Sequence, residues 1–167
     1  KTPVKVTLDV INSAPFTDMA QSLQASFAKG GIEFEILPGT GGQVITKYRA
    51  RTHEAMLLYW GPDFMDPDSN AHAFAFNADN ADDKYQSTTT WRNAWAVPAE
   101  LNKATEAALA EPDQDALYIE LQKQVQAKSP IICMFQAELQ IAMSPKVHGY
   151  VNGALPDFVF YRTVKKD

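Results

Sequence analysis

The chain has 167 residues, of which 46% are hydrophobic and 21% charged, a size and balance typical of one soluble globular domain with a single core. No window holds the roughly 18 uninterrupted apolar residues that a membrane-spanning helix requires, so we expect no passage through a bilayer. The net charge is -5 and the lysines and arginines are scattered along the sequence. A nucleic-acid partner would require a stripe of basic residues, so we expect no nucleic-acid partner.

The first three residues, Lys1-Thr2-Pro3, contain neither an initiator Met nor an apolar signal region. We therefore expect a processed or excised chain whose address signal has been removed. From residue 4 onward the spacing of apolar residues alternates between two and about 3.6, which predicts alternating strands and helices. The predicted elements are a strand at 4–10, a helix at 16–29 that Gly30 and Gly31 end, a strand at 32–36, and a helix from the capping-box sequence Thr40–Gln43 to about Arg51.

The run Ala55–Trp60 is apolar throughout and predicts a third strand. Strands that alternate with single helices favour parallel pairing through βαβ connections. A strand that is apolar on both faces is typical of the middle of such a sheet, so we expect 55–60 to be the central strand. The sequence shows no internal repeat and no convincing domain boundary, and the predicted fold class is α/β.

Residues 61–98 lack regular spacing and are rich in Asp, Asn, Thr and aromatic side chains. Long segments of this kind tend to carry function. Beyond them Pro98 is predicted to open a helix, and Asp113 to cap another with Leu117, Leu121 and Val125 facing inward. Extended segments are predicted at 131–136 and 139–143, and 158–161 is predicted to be a last strand or a docking segment.

Signals for catalysis and for metal binding are weak. Cys133 lies in the apolar run 131–135 and is predicted to be a buried, inert thiol. The three histidines form no H-x-x-x-H pair, and the stretch 66–77, which begins like a calcium loop, lacks the Gly and the closing Glu. No nucleophile has a base at a recognised spacing. We therefore predict a protein that is not an enzyme, with no catalytic residue, metal or cofactor.

The turn Gly39–Gly42 has two interpretations. It precedes a predicted helix, whose free N–H groups could hold a carboxylate or a phosphate. It lacks the Lys-Ser/Thr end of a P-loop, and a lone turn of this kind is more often a tight strand-to-helix connection. We treat it only as a secondary site.

The strongest constellation is Tyr-Trp-Gly-Pro-Asp-Phe-Met-Asp-Pro at 59–67, at the carboxyl end of the predicted third strand, where open α/β sheets bind ligands. Asp63 could accept charge-assisted hydrogen bonds from a ligand ammonium, and Tyr59 or Trp60 could offer an aromatic face. In the alternative interpretation the aromatic residues belong to the core, and Asp63 or Asp66 caps a helix that begins at Pro67.

The same segment resembles the aromatic-Trp-x-x-Asp-x-x-Asp-Pro signature of the extracytoplasmic solute-binding proteins of ABC importers, in the class that binds dipeptides, oligopeptides, nickel and opines. Segments in matching order extend the resemblance over nearly the whole chain: 31–36, 42–49, 117–123, 129–132 and 147–151. It implies a three-layer type II lobe, with helices on both faces of a mixed, mainly parallel sheet. Family members have two lobes that close on a ligand. Residues 1–167 match most of the second, C-terminal lobe, as a single domain without the first lobe.

The resemblance also implies binding residues. It places Asp63 where peptide-binding relatives pair with the amino terminus of the ligand and Trp60 at an aromatic wall of the cleft, with Tyr59 and Gly61 beside them. Some oligopeptide relatives carry an Arg three residues before the Trp, where this chain has Leu57.

Partners for a ligand carboxylate are therefore sought elsewhere in the chain. Trp91 and Arg92, in the irregular region, are the candidates, although the family pattern does not fix them. The alternative interpretation of this pair is loop packing together with a solvated cation.

The predicted function is that of one lobe of a periplasmic substrate-binding component, which captures a small amine-bearing solute such as a peptide for the transmembrane permease subunits of an ABC importer. The alternative is a module that docks on the permease with little ligand contact of its own. In the two-lobe protein, Asp63→Asn should lower ligand affinity by roughly tenfold or more only in the first case. Half a cleft is expected to bind in the millimolar range or not measurably, because its contacts barely exceed the cost of association.

Overall fold

The computed structural model describes residues 2–111, 114–138, 140–153 and 158–167. The chain divides into two compact units, one of Lys1–Trp60 with Asn80–Trp95 and one of Gly61–Asp79 with Ala96–Asp167. The elements in chain order are β1 Val4–Ile11, α1 Phe16–Ala28, β2 Ile32–Gly39, α2 Gly41–Arg49, β3 Ala55–Leu57, α3 Pro67–Ala75, α4 Thr89–Arg92, α5 Ala99–Ala110, α6 Asp115–Lys128, β4 Val147–His148, a 3-10 helix at Tyr161–Thr163, and β5 Lys165–Lys166.

In the first unit, β1 is the central strand of a three-stranded parallel sheet in the order β2-β1-β3. All eight residues of β1 pair with β2, whereas only 8–10 pair with β3. The predicted parallel pairing of strands joined through helices is confirmed. The prediction that 55–60 is the central strand is wrong, because β3 ends at Leu57 and is an edge of the described sheet. The apolar run does not indicate burial on both faces here, since Tyr59 and Trp60 are exposed, and it carries no information on how many strands pair with β3.

Successive residues of β1 face opposite sides of the sheet. Leu8 and Val10 are buried in an apolar cluster with Ala20 of α1 and Leu57 of β3. On the other face Asp9 is buried, and its two carboxylate oxygens lie 2.6 and 2.7 Å from Nζ of Lys47 on α2. A buried carboxylate requires such a partner because desolvation disfavours its charge. Side chains from helices thus cover both faces of the sheet, and the predicted α/β class is confirmed.

The helix limits of the first unit follow local chemistry. Thr40 Oγ1 accepts a hydrogen bond from the Gln43 N–H at 3.3 Å, and Gln43 Oε1 accepts one from the Thr40 N–H at 2.9 Å. The predicted capping box at the start of α2 is confirmed. Two donors at the Gly39–Gly42 turn are therefore satisfied within the chain, which favours the interpretation of this turn as a tight connection.

The second unit contains α3, α5 and α6, which pack on one another, and the antiparallel pair β4-β5. α5 begins after Pro98, as predicted. On α6 Leu121 is buried as predicted, but Leu117 is exposed and its neighbour Tyr118 is buried instead. The buried residues of α6 are therefore Tyr118 and Leu121. The predicted cap, Asp113, lies outside the described residues, and Gln114 precedes the first turn.

The described residues of 131–143 form no strand, and Leu139 lies outside the described residues. Cys133 is exposed, so the prediction of a buried thiol is wrong. An apolar run indicates that a segment is suited to burial. Burial also requires other residues that pack against the segment, and most of the described residues of 131–143 are exposed. In the predicted last strand only Val159 pairs, in a single bridge to Asn152. Within the described ranges no helix has the length and apolarity needed to cross a membrane.

Candidate functional site

The aromatic residues that follow β3 are exposed. Tyr59 is 76% exposed and Trp60 41%, and both belong to the first unit. The ring of Tyr59 lies 5.9 Å from the ring of Phe16 at the start of α1. Neither aromatic residue is part of the core, so that half of the alternative interpretation is wrong, while its other half, a cap by Asp63 or Asp66 on a helix that begins at Pro67, is confirmed for Asp66.

Asp63 and Gly61 belong to the second unit and are exposed. Within the part of the chain that the structure describes, no hydrogen bond or ion pair engages the Asp63 carboxylate. Asp66 caps α3 instead, because its Oδ1 accepts a hydrogen bond from the Asp68 N–H at 2.8 Å and Pro67 is the first helical residue. The carboxylate of Asp63 is therefore open to an external cation.

Trp91 is buried in the first unit, with 3% of its surface exposed. It lies on α4, a short helix within the region predicted to be irregular, and Thr88 caps this helix. The indole N–H donates to the Ala81 carbonyl at 3.1 Å, and the ring of Tyr85 meets the indole edge-on at 5.2 Å. The packing interpretation of the pair 91–92 thus fits Trp91.

An arginine that the sequence did not single out holds this region in place. The guanidinium of Arg51 lies 4.5 Å from the centre of the Trp91 ring. It also donates to the carbonyl and to the side-chain oxygen of Asn80 at 3.0 and 3.1 Å, and it forms an ion pair with Asp82 at 3.1 Å. These partners lie about 30 residues away in the sequence, so no local pattern indicates the cluster.

Arg92 is half-buried beside Tyr48. Its guanidinium lies 5.4 Å from the centre of the Tyr48 ring, and its Nη2 lies 3.4 Å from the hydroxyl of Tyr85. The pKa of Tyr48 is raised above its ordinary value, chiefly because burial disfavours the phenolate, although Arg92 acts in the opposite direction. The phenol is therefore neutral at neutral pH and supplies no negative charge to Arg92.

Histidine and carboxylate side chains do not assemble a metal site in the described residues, since no group of three such ligands occurs there. His53 is part of the first unit, with its Nε2 3.2 Å from Asn93 Oδ1 and its ring 5.7 Å from that of Tyr48. His72 stacks on Phe76 at 4.4 Å. These contacts are those of packed or surface histidines.

No family model matches the chain. A dipeptide-binding protein of Pseudomonas aeruginosa strain PAO1 is 30% identical over 146 residues, which cover 86% of this chain and 26% of that protein. Di/tripeptide-binding protein 3 of Pseudomonas aeruginosa strain UCBPP-PA14 is 29% identical over 146 residues, with the same coverage of both chains. The chain thus spans about a quarter of the length of these curated relatives.

Solved structures share the fold at low sequence identity. The unliganded open form of MppA, a periplasmic murein tripeptide-binding protein, matches 98% of this chain and 30% of its own, with a TM-score of 0.71 and 16% identity. A dipeptide-binding protein of Pseudoalteromonas sp. SM9913 in complex with Met-Leu matches 99% of this chain and 33% of its own, with a TM-score of 0.65 and 15% identity. The fold is that of part of a type II periplasmic binding protein. The chain is therefore homologous to a fragment of dipeptide-binding proteins, and its fold is that of part of a periplasmic binding protein.

Proposed function

We propose that the chain is most of the second lobe of a substrate-binding component of an ABC importer, and that it captures a small amine-bearing solute, such as a short peptide, in the periplasm. The transmembrane permease subunits are the proposed recipients of the solute. The homology to dipeptide-binding proteins supports this proposal. The named relatives are binding proteins, which favours a binding role without catalysis.

One observation supports a specific residue as the binding group: the exposed carboxylate of Asp63 has no hydrogen-bond or ion-pair partner within the described chain. Exposed carboxylates are often simply solvated, so Asp63 is distinguished by its place in the sequence, three residues after the exposed Trp60, and by the fact that Asp66, not Asp63, caps the following helix. A ligand ammonium would meet Asp63 in charge-assisted hydrogen bonds, which contribute about 1.5–3 kcal/mol. Asp63 is therefore proposed as the acceptor for the amine of the ligand.

Trp60 and Tyr59 are proposed as aromatic contacts of the ligand, and Gly61 as a position where the absence of a side chain lets the ligand approach the backbone. An exposed aromatic ring offers a cation or an apolar side chain a face worth about 0.5–2 kcal/mol. Together these contacts contribute about 2–5 kcal/mol, which is no larger than the association cost of about 4 kcal/mol or more. Binding by this chain alone is therefore expected in the millimolar range or weaker.

An NMR titration with Ala-Ala tests the proposal. The expected result is a saturable shift of the Asp63 amide and the Trp60 indole N–H, which Asp63→Asn weakens by roughly tenfold. Glu106→Gln is the matched control, because Glu106 is an exposed carboxylate of the second unit on α5. If Asp63→Asn and Glu106→Gln showed the same affinity for Ala-Ala in this titration, the role of Asp63 would be contradicted. That result would favour the alternative, a module that docks on the permease with little ligand contact.

A further inference from the structure

The segment 130–138, which follows α6, is apolar and largely exposed. Ile132 and Phe135 are 73% and 69% exposed, and Met134 is 43% exposed. Among the residues that the structure describes, the backbone of 132–138 forms no hydrogen bond with other backbone groups. An unpaired segment rich in Ile and Phe is a template for β-pairing with another chain.

The charges around this segment are complementary to those of a second copy. Glu138 is the one charged residue of 129–138, and Lys128 lies as far before Cys133 as Glu138 lies after it. In an antiparallel pair with a two-fold axis at Cys133, Lys128 of each copy lies opposite Glu138 of the other. Parallel pairing in register would set Glu138 against Glu138, which is destabilising. Lys128 lies 3.1 Å from Glu100 within the chain, but both are exposed and water screens that pair.

We propose that residues 130–136 pair antiparallel with the same residues of a second copy, about a two-fold axis at Cys133. Alternate residues of a strand share a face, so this register matches apolar side chains on both faces. Ile131 lies opposite Phe135 on the face of Cys133, and Ile132 lies opposite Met134 on the other face. The interface is isologous, as a two-fold dimer requires.

The size of the apolar surface sets the strength of this dimer. Side chains as exposed as Ile132 and Phe135 present on the order of 100 Å² each. The three exposed side chains of each copy therefore bury less than the roughly 1,200 Å² of a stable complex. We expect a weak dimer, with a dissociation constant on the order of 100 μM. This inference does not depend on the proposed function.

Sedimentation velocity of the chain from about 10 to 1,000 μM, a range that brackets the expected dissociation constant, tests the dimer. The expected mass rises from 18.5 kDa toward twice that value. Met134→Lys should weaken the dimer at least tenfold, because it places two charges in the apolar pair. Val151→Lys is the matched control, since Val151 is 46% exposed in the same unit. A chain that stays monomeric, or two variants that weaken the dimer equally while circular dichroism shows both folded, would overturn the inference.

Oxidation with diamide tests the register. Opposite residues of an antiparallel pair have Cα atoms about 4.5–5.5 Å apart, within reach of a disulfide, so Cys133 should bridge to Cys133 of the second copy. The control variant combines Cys133→Ser with Ala137→Cys, which moves the exposed thiol within the segment. In the proposed register its two thiols lie roughly 27 Å apart. Disulfide-linked dimer should form at least tenfold faster in the unchanged chain, and equal rates would overturn the antiparallel pairing.

Discussion

Two aromatic segments of this chain, equally irregular in sequence, differ sharply in their structure. The exposed segment, 59–65, leaves Tyr59, Phe64 and Met65 largely in solvent. The packed segment, 80–92, buries Trp91 under the guanidinium of Arg51 and ties its indole N–H to a carbonyl. The difference lies in the partners of the large side chains: Trp91 lies under the guanidinium of Arg51 and bonds the Ala81 carbonyl of its own segment, whereas most of the surface of Tyr59, Phe64 and Met65 is in solvent.

This difference bears on function because a largely exposed apolar side chain contributes less to folding than a buried one. Side chains in the packed segment stabilise the first unit through dispersion and cation–π contacts. The large side chains of Tyr59, Phe64 and Met65 in the exposed segment contribute less to stability, and in the proposed function the aromatic residues of this segment contact a ligand. The comparison predicts that substitutions in the two segments affect different properties, namely stability for the packed segment and binding for the exposed one.

The largest expected effect is on stability, from Trp91→Ala. Removing a buried indole should lower the free energy of unfolding by about 3–5 kcal/mol, because the cavity loses both apolar burial and dispersion contacts. Tyr59→Ala, in the exposed segment, should change it by less than about 0.5 kcal/mol. Urea unfolding followed by circular dichroism measures both. Comparable losses in the two variants would show that the segments do not differ as described.

Arg51→Gln tests what holds the packed segment in place. The variant loses the cation–π contact and the ion pair, and we expect a loss of about 1–3 kcal/mol in the free energy of unfolding. Asp82→Asn should cost less than about 0.5 kcal/mol, since Asp82 is exposed and its charge is screened by water. If both variants lost the same amount, the ion pair and not the stacking on Trp91 would hold the segment.

Two residues after the packed segment, the backbone contains a strain that can be relieved. Ala94 is exposed and has a φ of +53°, a conformation that costs an L-residue roughly 1 kcal/mol and glycine almost nothing. Ala94→Gly should therefore raise the free energy of unfolding by about 0.5 kcal/mol. Ala50→Gly, at the end of α2 where φ is -84°, should lower it. A thermal melt of both variants would refute the argument if they shifted in the same direction.

The connection between α2 and β3, which carries Arg51, is also tied to β1 through Glu54. Its Oε2 accepts hydrogen bonds from the N–H and the hydroxyl of Thr7, both at 2.7 Å, and these lower the pKa of the Glu54 carboxyl below its ordinary value of 4.5. The stabilisation is present above the ordinary value and is lost as the pH falls through the lowered pKa. Glu54→Gln should therefore show a shallower loss of stability between pH 5 and pH 3 than the unchanged chain. An unaltered slope would contradict the role of these bonds.

The sequence predicted the first unit well because its signals are local. The strand periods, the capping box at Thr40 and the stop at Gly30–Gly31 act within a few residues, and β1, α1, β2 and α2 lie where they were expected. The order of the strands and the exposure of Cys133 depend on distant neighbours, and those predictions were wrong.

The candidate site divides in the same way. The motif Trp60–Asp63 can be recognised in the sequence from its residue types alone. The sequence left open whether Asp63 or Asp66 caps the helix that begins at Pro67, and the structure assigns the cap to Asp66. The cluster around Trp91 and Arg92 depends on Tyr48 and Arg51, some 40 residues earlier. Contacts at such separations leave no periodic signal, and so the burial of Trp91 became evident only in three dimensions.

The central claim is that the exposed segment meets the amine of a ligand. The most direct test is a crystal structure of the chain soaked in Ala-Ala at a concentration on the order of 100 mM, which is sufficient to occupy a site that binds in the millimolar range. The account predicts the ammonium of the dipeptide at about 2.7–3.0 Å from a carboxylate oxygen of Asp63. The account would be contradicted if the ammonium of the bound dipeptide contacted other residues while the Asp63 carboxylate, accessible in the crystal, stayed in solvent.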